Sequence, residues 1–127
     1  MIGYVMVGTN DINKAIAFYD VLLDLIDLKR VDTSEEYAGY ASKNNPENIE
    51  FYVTKPANKK DANFGNGTQI SFITDTKKNV DKFHEVGVRL GGKSEGSPGE
   101  RPKGSKVYYS YVRDLDGNKI CAFSNLQ

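Results

Sequence analysis

The chain has 127 residues, 39% of them hydrophobic and 27% charged, a composition typical of one globular domain. Seventeen basic residues balance seventeen acidic ones, which argues against a nucleic-acid partner, and the single cysteine, Cys121, excludes an intrachain disulfide. No apolar run reaches the roughly 20 residues of a membrane span and no signal peptide is visible, so we expect a cytoplasmic protein without a membrane partner.

The chain resembles itself at an offset of 65 residues, which places Tyr4 opposite Gln69. In both copies an alternating apolar run ends in Thr followed by Asn or Asp, and a helix-like stretch follows. Phe18 and Phe83 keep the same offset. Two copies are too few for a solenoid, so the repeat indicates a pseudo-symmetric domain with two related halves.

The first half contains, in chain order, a strand, a helix and three strands. Alternation and β-branched residues predict the strand at 2–8. Asn10 or Asp11 can cap a helix over 12–25, which has apolar residues at helical spacing. Three short strands follow at 28–32, 36–41 and 48–54, and the polar stretch 55–67 is interpreted as the linker between the halves.

The second half repeats this order. A strand is predicted at 68–74, and a helix capped by Asp75 or Thr76 is predicted to end at Gly87, because glycine often follows a helix. A strand is expected at 88–93. The glycine- and proline-containing segment 94–105 is interpreted as a loop, and strands at 106–113 and 119–123 flank a tight turn at Asp116 and Gly117.

The sequence therefore predicts an α+β fold of two pseudo-symmetric βαβββ modules, at about 1–55 and 67–127, within one domain spanning residues 1–127. Each module has a four-stranded sheet with a helix on one face. We expect the other faces of the two sheets to meet and enclose a cavity.

Two local motifs accompany this order: Thr9-Asn10-Asp11 with Phe18-Tyr19-Asp20, and Asp114-Leu115-Asp116-Gly117-Asn118 before the last strand. Together they resemble the vicinal oxygen chelate superfamily, which includes glyoxalase I, bleomycin-resistance proteins and extradiol dioxygenases. Leu115 stands where the family usually has proline. The resemblance covers nearly the whole chain and implies a glyoxalase-like cavity and, by analogy with family members, a homodimer.

In metal-dependent members of that family, ligands come from the first and last strands of each half. Matching by position assigns these places to Tyr4, Glu50, Gln69 and Cys121, where the family typically has histidines and carboxylates. A divalent ion prefers imidazole and carboxylate ligands, so we expect no metal cofactor here.

Strand alternation independently puts the matched residues on common faces. Met6 shares a face with Tyr4, Tyr52 with Glu50, Ser71 with Gln69, and Phe123 with Cys121. We therefore include Met6, Tyr52, Ser71 and Phe123 among the expected ligand-binding residues.

Three residues admit two interpretations each. Glu50 lies between apolar neighbours, where it is either a desolvated base or a carboxylate facing water. Cys121 is interpreted as a small buried hydrophobe rather than a reactive thiol, although Lys119 should share its face. His84, the only histidine, is interpreted as a solvent-facing helical residue rather than a catalytic one.

Tyrosines are frequent in the predicted strands, and Tyr109 shares a face with Tyr111. Tyr4, Tyr52 and Tyr109 are interpreted as walls of a pocket for a small organic molecule, the alternative being cross-strand pairs on a sheet surface. Arg101 is a candidate anion contact if the loop around it forms a flap over the pocket; otherwise that loop is a mobile connector.

The leading hypothesis is a glyoxalase-like protein with metal-independent chemistry. Glu50 would be the base, Tyr4 or Tyr109 a hydrogen-bond donor, and Gln69 a group that orients the ligand. The alternatives are a non-catalytic drug- or metabolite-sequestering protein, and a metal-dependent lyase or dioxygenase with a shifted ligand set.

Overall fold

The computed structural model describes residues 1–125, which form two helices and eight strands. The first module contains β1 (Val5–Gly8), α1 (Ile12–Asp24), β2 (Leu28–Thr33), β3 (Tyr37–Ser42) and β4 (Ile49–Thr54). The second contains β5 (Ile70–Ile73), α2 (Lys77–Arg89), β6 (Lys93–Glu100), β7 (Val107–Arg113) and β8 (Lys119–Asn125). The α+β class and the two βαβββ modules are confirmed.

Each module forms its own four-stranded sheet with the same topology. The strand orders are β1-β4-β3-β2 and β5-β8-β7-β6, so the first strand of each module pairs in parallel with its last. Because a parallel pair needs a crossover connection, each helix lies against one face of its sheet. The other face of each sheet is called the open face below.

Both helices begin where the sequence predicts. The Asp11 side chain accepts a hydrogen bond from the Lys14 backbone N–H, and the Thr76 side chain accepts one from that of Asn79. These bonds satisfy backbone donors that have no partner within the helix. Among the described residues, no helix is long and apolar enough to cross a membrane.

The predicted end of the second helix at Gly87 is wrong. The helix continues to Arg89, and Gly91, with φ 106°, terminates it while the Gly92 N–H donates to the Gly87 carbonyl. This is the Schellman pattern, which needs a left-handed residue one place beyond the cap. Gly87 instead permits close packing, because a Cβ there would lie 3.2 Å from Cγ1 of Val112.

The segment 94–105 is also not a loop throughout, and the strand expected at 88–93 is displaced. Residues 93–100 form β6, an edge strand whose register with β7 shifts twice, around Gly96. An edge strand tolerates Pro98 because one side of its backbone needs no ladder partner. The glycines and proline therefore mark bulges in an irregular strand.

One hydrophobic core lies between the helix-bearing faces of the two sheets. It contains buried residues of both modules, among them Phe18 and Leu22 of α1 and Phe83 of α2. The ring centroids of Phe51 and Phe72 are 5.3 Å apart and join the two sheets directly. The open faces therefore point away from this shared core, so the expectation that they meet to enclose a cavity is wrong for a single copy of the chain.

The turn motif before β8 ties the second module to the first. Asp114 is buried; its Oδ1 accepts from the backbone N–H groups of Asp116 and Asn118, and its Oδ2 accepts from the Tyr19 hydroxyl of α1. The Asn118 amide donates to Asp114 Oδ2 at 2.9 Å and to the Gly8 carbonyl at 2.8 Å. The motif that carries the family resemblance thus has a structural role between the modules.

Candidate functional site

The open face of the first sheet carries a cluster of three tyrosine rings. Tyr4 and Tyr52 meet edge to face with centroids 5.0 Å apart, and Tyr37 lies 5.8 Å from Tyr52 in the same manner. Gly39 makes room for Tyr52, because a Cβ there would come within 2.8 Å of the ring. Met6 is the β-ladder partner of Tyr52 and is 50% exposed. This face therefore presents apolar surface with several hydroxyl groups.

Glu50 lies at the junction of the two modules rather than beneath the tyrosine cluster. It is exposed and, together with Ser71, lines a cleft of about 320 Å³ between the modules. Apolar side chains of Val5, Ile70 and Phe72 complete much of its wall. The structure therefore brings one candidate residue from each module into the same cleft, and within one copy of the chain Glu50 faces water.

Gln69 and Cys121 converge on Ser71 in the second module. The Gln69 amide nitrogen donates to the Ser71 hydroxyl at 2.9 Å, and Ser71 is the ladder partner of Cys121. Burial raises the pKa of the Cys121 thiol, although a hydrogen bond from Ser71 and the charges of Lys119 and Arg101 oppose that shift. A fully buried, neutral thiol agrees with the interpretation of Cys121 as a small hydrophobe.

The open face of the second sheet carries a stack of aromatic rings. The rings of Tyr109 and Tyr111 are nearly parallel, at 5° and 5.9 Å, and Phe123 stacks on Tyr109 at 5.4 Å. All three are partly exposed. Within residues 1–125, no ring contact joins this stack to Tyr4 or Tyr52, so the structure places the expected pocket tyrosines on two separate faces.

Arg101 lies beside this stack, directly after the end of β6. Its guanidinium carbon is 5.1 Å from the centroid of the Tyr111 ring, and the Lys119 ammonium is 5.1 Å from the same centroid. Neither Tyr111 nor Lys119 was a sequence candidate. Strand alternation could have found both residues, because each shares a face with a predicted site residue. Tyr111 follows Tyr109 by two positions, and Lys119 precedes Cys121 by two.

His84 lies apart from these clusters. It is half-buried between α2 and β6, where its Nε2 is 2.7 Å from the Ser94 hydroxyl oxygen, so it does not point freely into solvent. Burial lowers the pKa of His84. Ser94 pairs with Val112, whose side chain lies under α2, so this contact is on the helix-bearing side of the sheet.

The four positions matched to metal ligands do not offer a suitable donor set. Tyr4, Gln69 and the buried Cys121 thiol are neutral donors, which leaves Glu50 as the one anionic group. Across the part of the chain that the structure describes, no three His, Cys, Asp or Glu residues are grouped so that they can hold a metal ion. These residues do not fit the divalent ion of metal-dependent relatives.

Comparison with known proteins agrees with this architecture. The family model for the Glyoxalase/Bleomycin resistance protein/Dioxygenase superfamily matches residues 1–122. A glyoxalase/bleomycin resistance protein from Albidiferax ferrireducens T118 is 37% identical, with a TM-score of 0.86 and coverage of 98% of each chain. Among curated proteins, none matches this chain.

Two more distant structures share the fold. A glyoxalase/bleomycin resistance protein/dioxygenase family enzyme from Burkholderia phytofirmans PsJN is 20% identical, with a TM-score of 0.72 and 98% coverage of both chains. A lactoylglutathione lyase from Agrobacterium tumefaciens is 17% identical, with a TM-score of 0.67 and coverage of 98% of this chain and 92% of the other.

Proposed function

This chain belongs to the glyoxalase/bleomycin resistance protein/dioxygenase superfamily, and from that premise we propose that it binds a small organic molecule without the divalent metal of metal-dependent members. The observation that carries the proposal is the pair of partly exposed aromatic clusters on the open faces. Tyrosines give a ligand a flat apolar surface and also hydroxyl groups for orientation.

Within this proposal, Glu50 is the candidate base, Tyr4 or Tyr109 the hydrogen-bond donor, and Gln69 the group that orients the ligand. The shared cleft of Glu50 and Ser71 supports a contribution from both modules. Gln69 is already fixed by its bond to Ser71, so its amide oxygen has a defined direction for accepting a hydrogen bond from a ligand.

We further propose that the protein is a homodimer in which the first open face of one copy covers the second open face of the other. Both faces expose aromatic rings that only water covers in a single copy, Tyr4 and Tyr52 on the first and Tyr109 and Phe123 on the second. Covering them would also bury Met6 and exclude water from the surroundings of Glu50, an environment that suits a general base.

The proposed location is the cytoplasm, where a lone thiol stays reduced.

A non-catalytic binding protein is the second candidate function. Glu50 is exposed and Cys121 is a buried neutral thiol, so a single copy of the chain contains no desolvated base or activated nucleophile at these positions. A sequestering protein needs the aromatic surface alone, because binding requires complementary shape and polarity but no proton transfer.

The test is a thermal-shift screen of small aromatic and carbonyl compounds against the purified chain, followed by Glu50→Gln. A ligand at about 100 times its Kd adds about 2.7 kcal/mol to the free energy of unfolding, which raises Tm measurably. If Glu50→Gln loses turnover but still binds the ligand, the enzyme is favoured. If the wild type and Glu50→Gln bind the ligand equally and neither turns it over, sequestration is favoured. Glu85→Gln on the exposed surface of α2 is the matched control.

Metal dependence is tested separately. Metal analysis of tag-free protein and thermal unfolding with added Ni, Zn, Mn or Fe ions should give no stoichiometric metal and no rise in Tm. Stoichiometric metal with a clear rise in Tm would refute this part of the proposal and make a lyase or dioxygenase with a shifted ligand set the leading function.

A further inference from the structure

Two cations flank one aromatic ring on the second open face. Arg101 and Lys119 each lie 5.1 Å from the centroid of Tyr111, one directly after edge strand β6 and the other at the start of β8. Tyr111 in turn stacks with Tyr109, which stacks with Phe123. The face therefore carries a row of stacked aromatic rings with positive charge at the Tyr111 end.

The guanidinium of Arg101 is held in place by backbone carbonyl groups. Nη1 donates to the carbonyls of Gly99 and Tyr109 at 3.2 and 3.3 Å, and Nη2 donates to that of Ser97 at 2.8 Å. Gly96 supplies the space, because a Cβ there would lie 3.0 Å from Nη2 of Arg101 and 2.8 Å from the Tyr111 ring. These acceptors are uncharged, so they fix the orientation of the guanidinium without neutralising it.

The positive charge of this face is not balanced by neighbouring carboxylates. Three ion pairs occur within residues 1–125, and they join Arg30 to Asp20, Lys43 to Asp24, and Arg113 to Glu95. Glu95, on β6, bonds to Arg113 at 2.7 Å. This bond, and to a lesser extent the charge of Lys119, lowers the pKa of Glu95. Glu95 is therefore already bonded to Arg113 and does not neutralise the other two cations, and Arg101 has no acidic partner within 4.0 Å among the described residues.

We propose that the second open face binds a planar aromatic carboxylate, with the ring over Tyr109 and Phe123 and the carboxylate at Arg101 and Lys119. This names the ligand class and rests on the proposed function. Three of the five guanidinium N–H groups of Arg101 are bonded to carbonyls, so the remaining two and the Lys119 ammonium can donate to a carboxylate. An aromatic ring can pack against Tyr109 and Phe123. Because the guanidinium is ordered before binding, little additional conformational entropy is lost when the ligand arrives.

The test compares 2-naphthoate with its uncharged analogue 2-naphthamide, using the full chain, by NMR titration and calorimetry. We expect naphthoate to bind at least fivefold more tightly than naphthamide. Lys119→Met and Arg101→Met should each remove that preference, while Lys82→Met, an exposed lysine on α2, should keep it. Since Arg101 also orders the end of β6, Lys119→Met decides the matter if Arg101→Met does not fold.

Equal affinity for the two compounds would overturn the carboxylate assignment and leave the proposed function standing. If neither compound binds, the carboxylate assignment is again overturned, and a screen of uncharged fragments then decides the proposed function: a hit preserves it, and a complete failure removes it. Weakened self-association of Lys119→Met in sedimentation, without any change in naphthoate affinity, would assign the cations to a second copy of the chain instead.

Discussion

Replacing Tyr19 with Phe tests whether the buried Asp114 carboxylate joins the two modules. The Tyr19 hydroxyl donates to Asp114 in the core, and Phe fills the same space without donating. A hydrogen bond to a charged group contributes about 1.5–3 kcal/mol, and its loss leaves Asp114 with three donors at a desolvated site. We expect Y19F to lower the free energy of unfolding by about 2 kcal/mol, and Tm by roughly 6–10 °C for a chain of this size.

The same variant makes a prediction about pH. Burial, and then the neighbouring charge of Asp114, raise the pKa of Tyr19 well above the usual 10.0. The unfolded chain therefore ionises Tyr19 near pH 10 while the folded chain does not, so this contribution to stability is complete below pH 10 and is lost as the pH rises. At pH 10.5 the difference between the wild type and Y19F should have shrunk by about 0.8 kcal/mol.

Urea unfolding followed by circular dichroism measures both effects, and Tyr37→Phe is the matched control. The Tyr37 hydroxyl donates to Asp32 at 3.3 Å on a partly exposed surface, so its removal should cost less than about 0.5 kcal/mol. The idea that this bond stabilises the module interface is refuted if Y19F lowers stability as little as the control does. It is also refuted if the difference in stability between the wild type and Y19F stays constant up to pH 10.5.

Two further predictions concern the second module. Gly92→Ala should lower the free energy of unfolding by about 2–4 kcal/mol in thermal unfolding, because its Cβ would lie 2.6 Å from the backbone oxygen of Arg113. Gly3→Ala is the control and should change stability little, because no atom lies within 4 Å of its Cβ. Equal effects of the two substitutions would contradict the steric argument. The hydrogen bond to Asp81 raises the pKa of Tyr108 to about 12, so Asp81→Asn should move one tyrosine toward pH 10 in an ultraviolet titration, and an unchanged titration would contradict it.

The sequence predicts the order of elements well because the signals involved are local. Both helices begin at residues whose side chains accept from backbone amides three positions later, a pattern visible in the sequence. Alternation also correctly groups Tyr109 with Tyr111, because side chains on a strand point to opposite faces in turn. The repeat at an offset of 65 residues completes the prediction of two modules.

The errors arise where tertiary packing determines local structure. Gly87 looks like a helix terminator, yet its lack of a side chain serves the close approach of α2 to Val112. The segment around Gly96 looks like a loop, yet pairing with β7 makes it an edge strand with two register shifts. Neither outcome can be read from neighbouring residues, because in each case the deciding contact comes from another strand.

The site is harder to predict than the fold because the two depend on different residues. Asp114 and Asn118 are buried and bonded to both modules, so substitutions there carry a structural cost whatever the ligand. Tyr4, Glu50 and Gln69 lie exposed on or beside the open faces, where other side chains fit the same backbone. The turn motif therefore identifies the architecture while leaving the chemistry free to change, and the ligand must be inferred from the side chains of the open faces themselves.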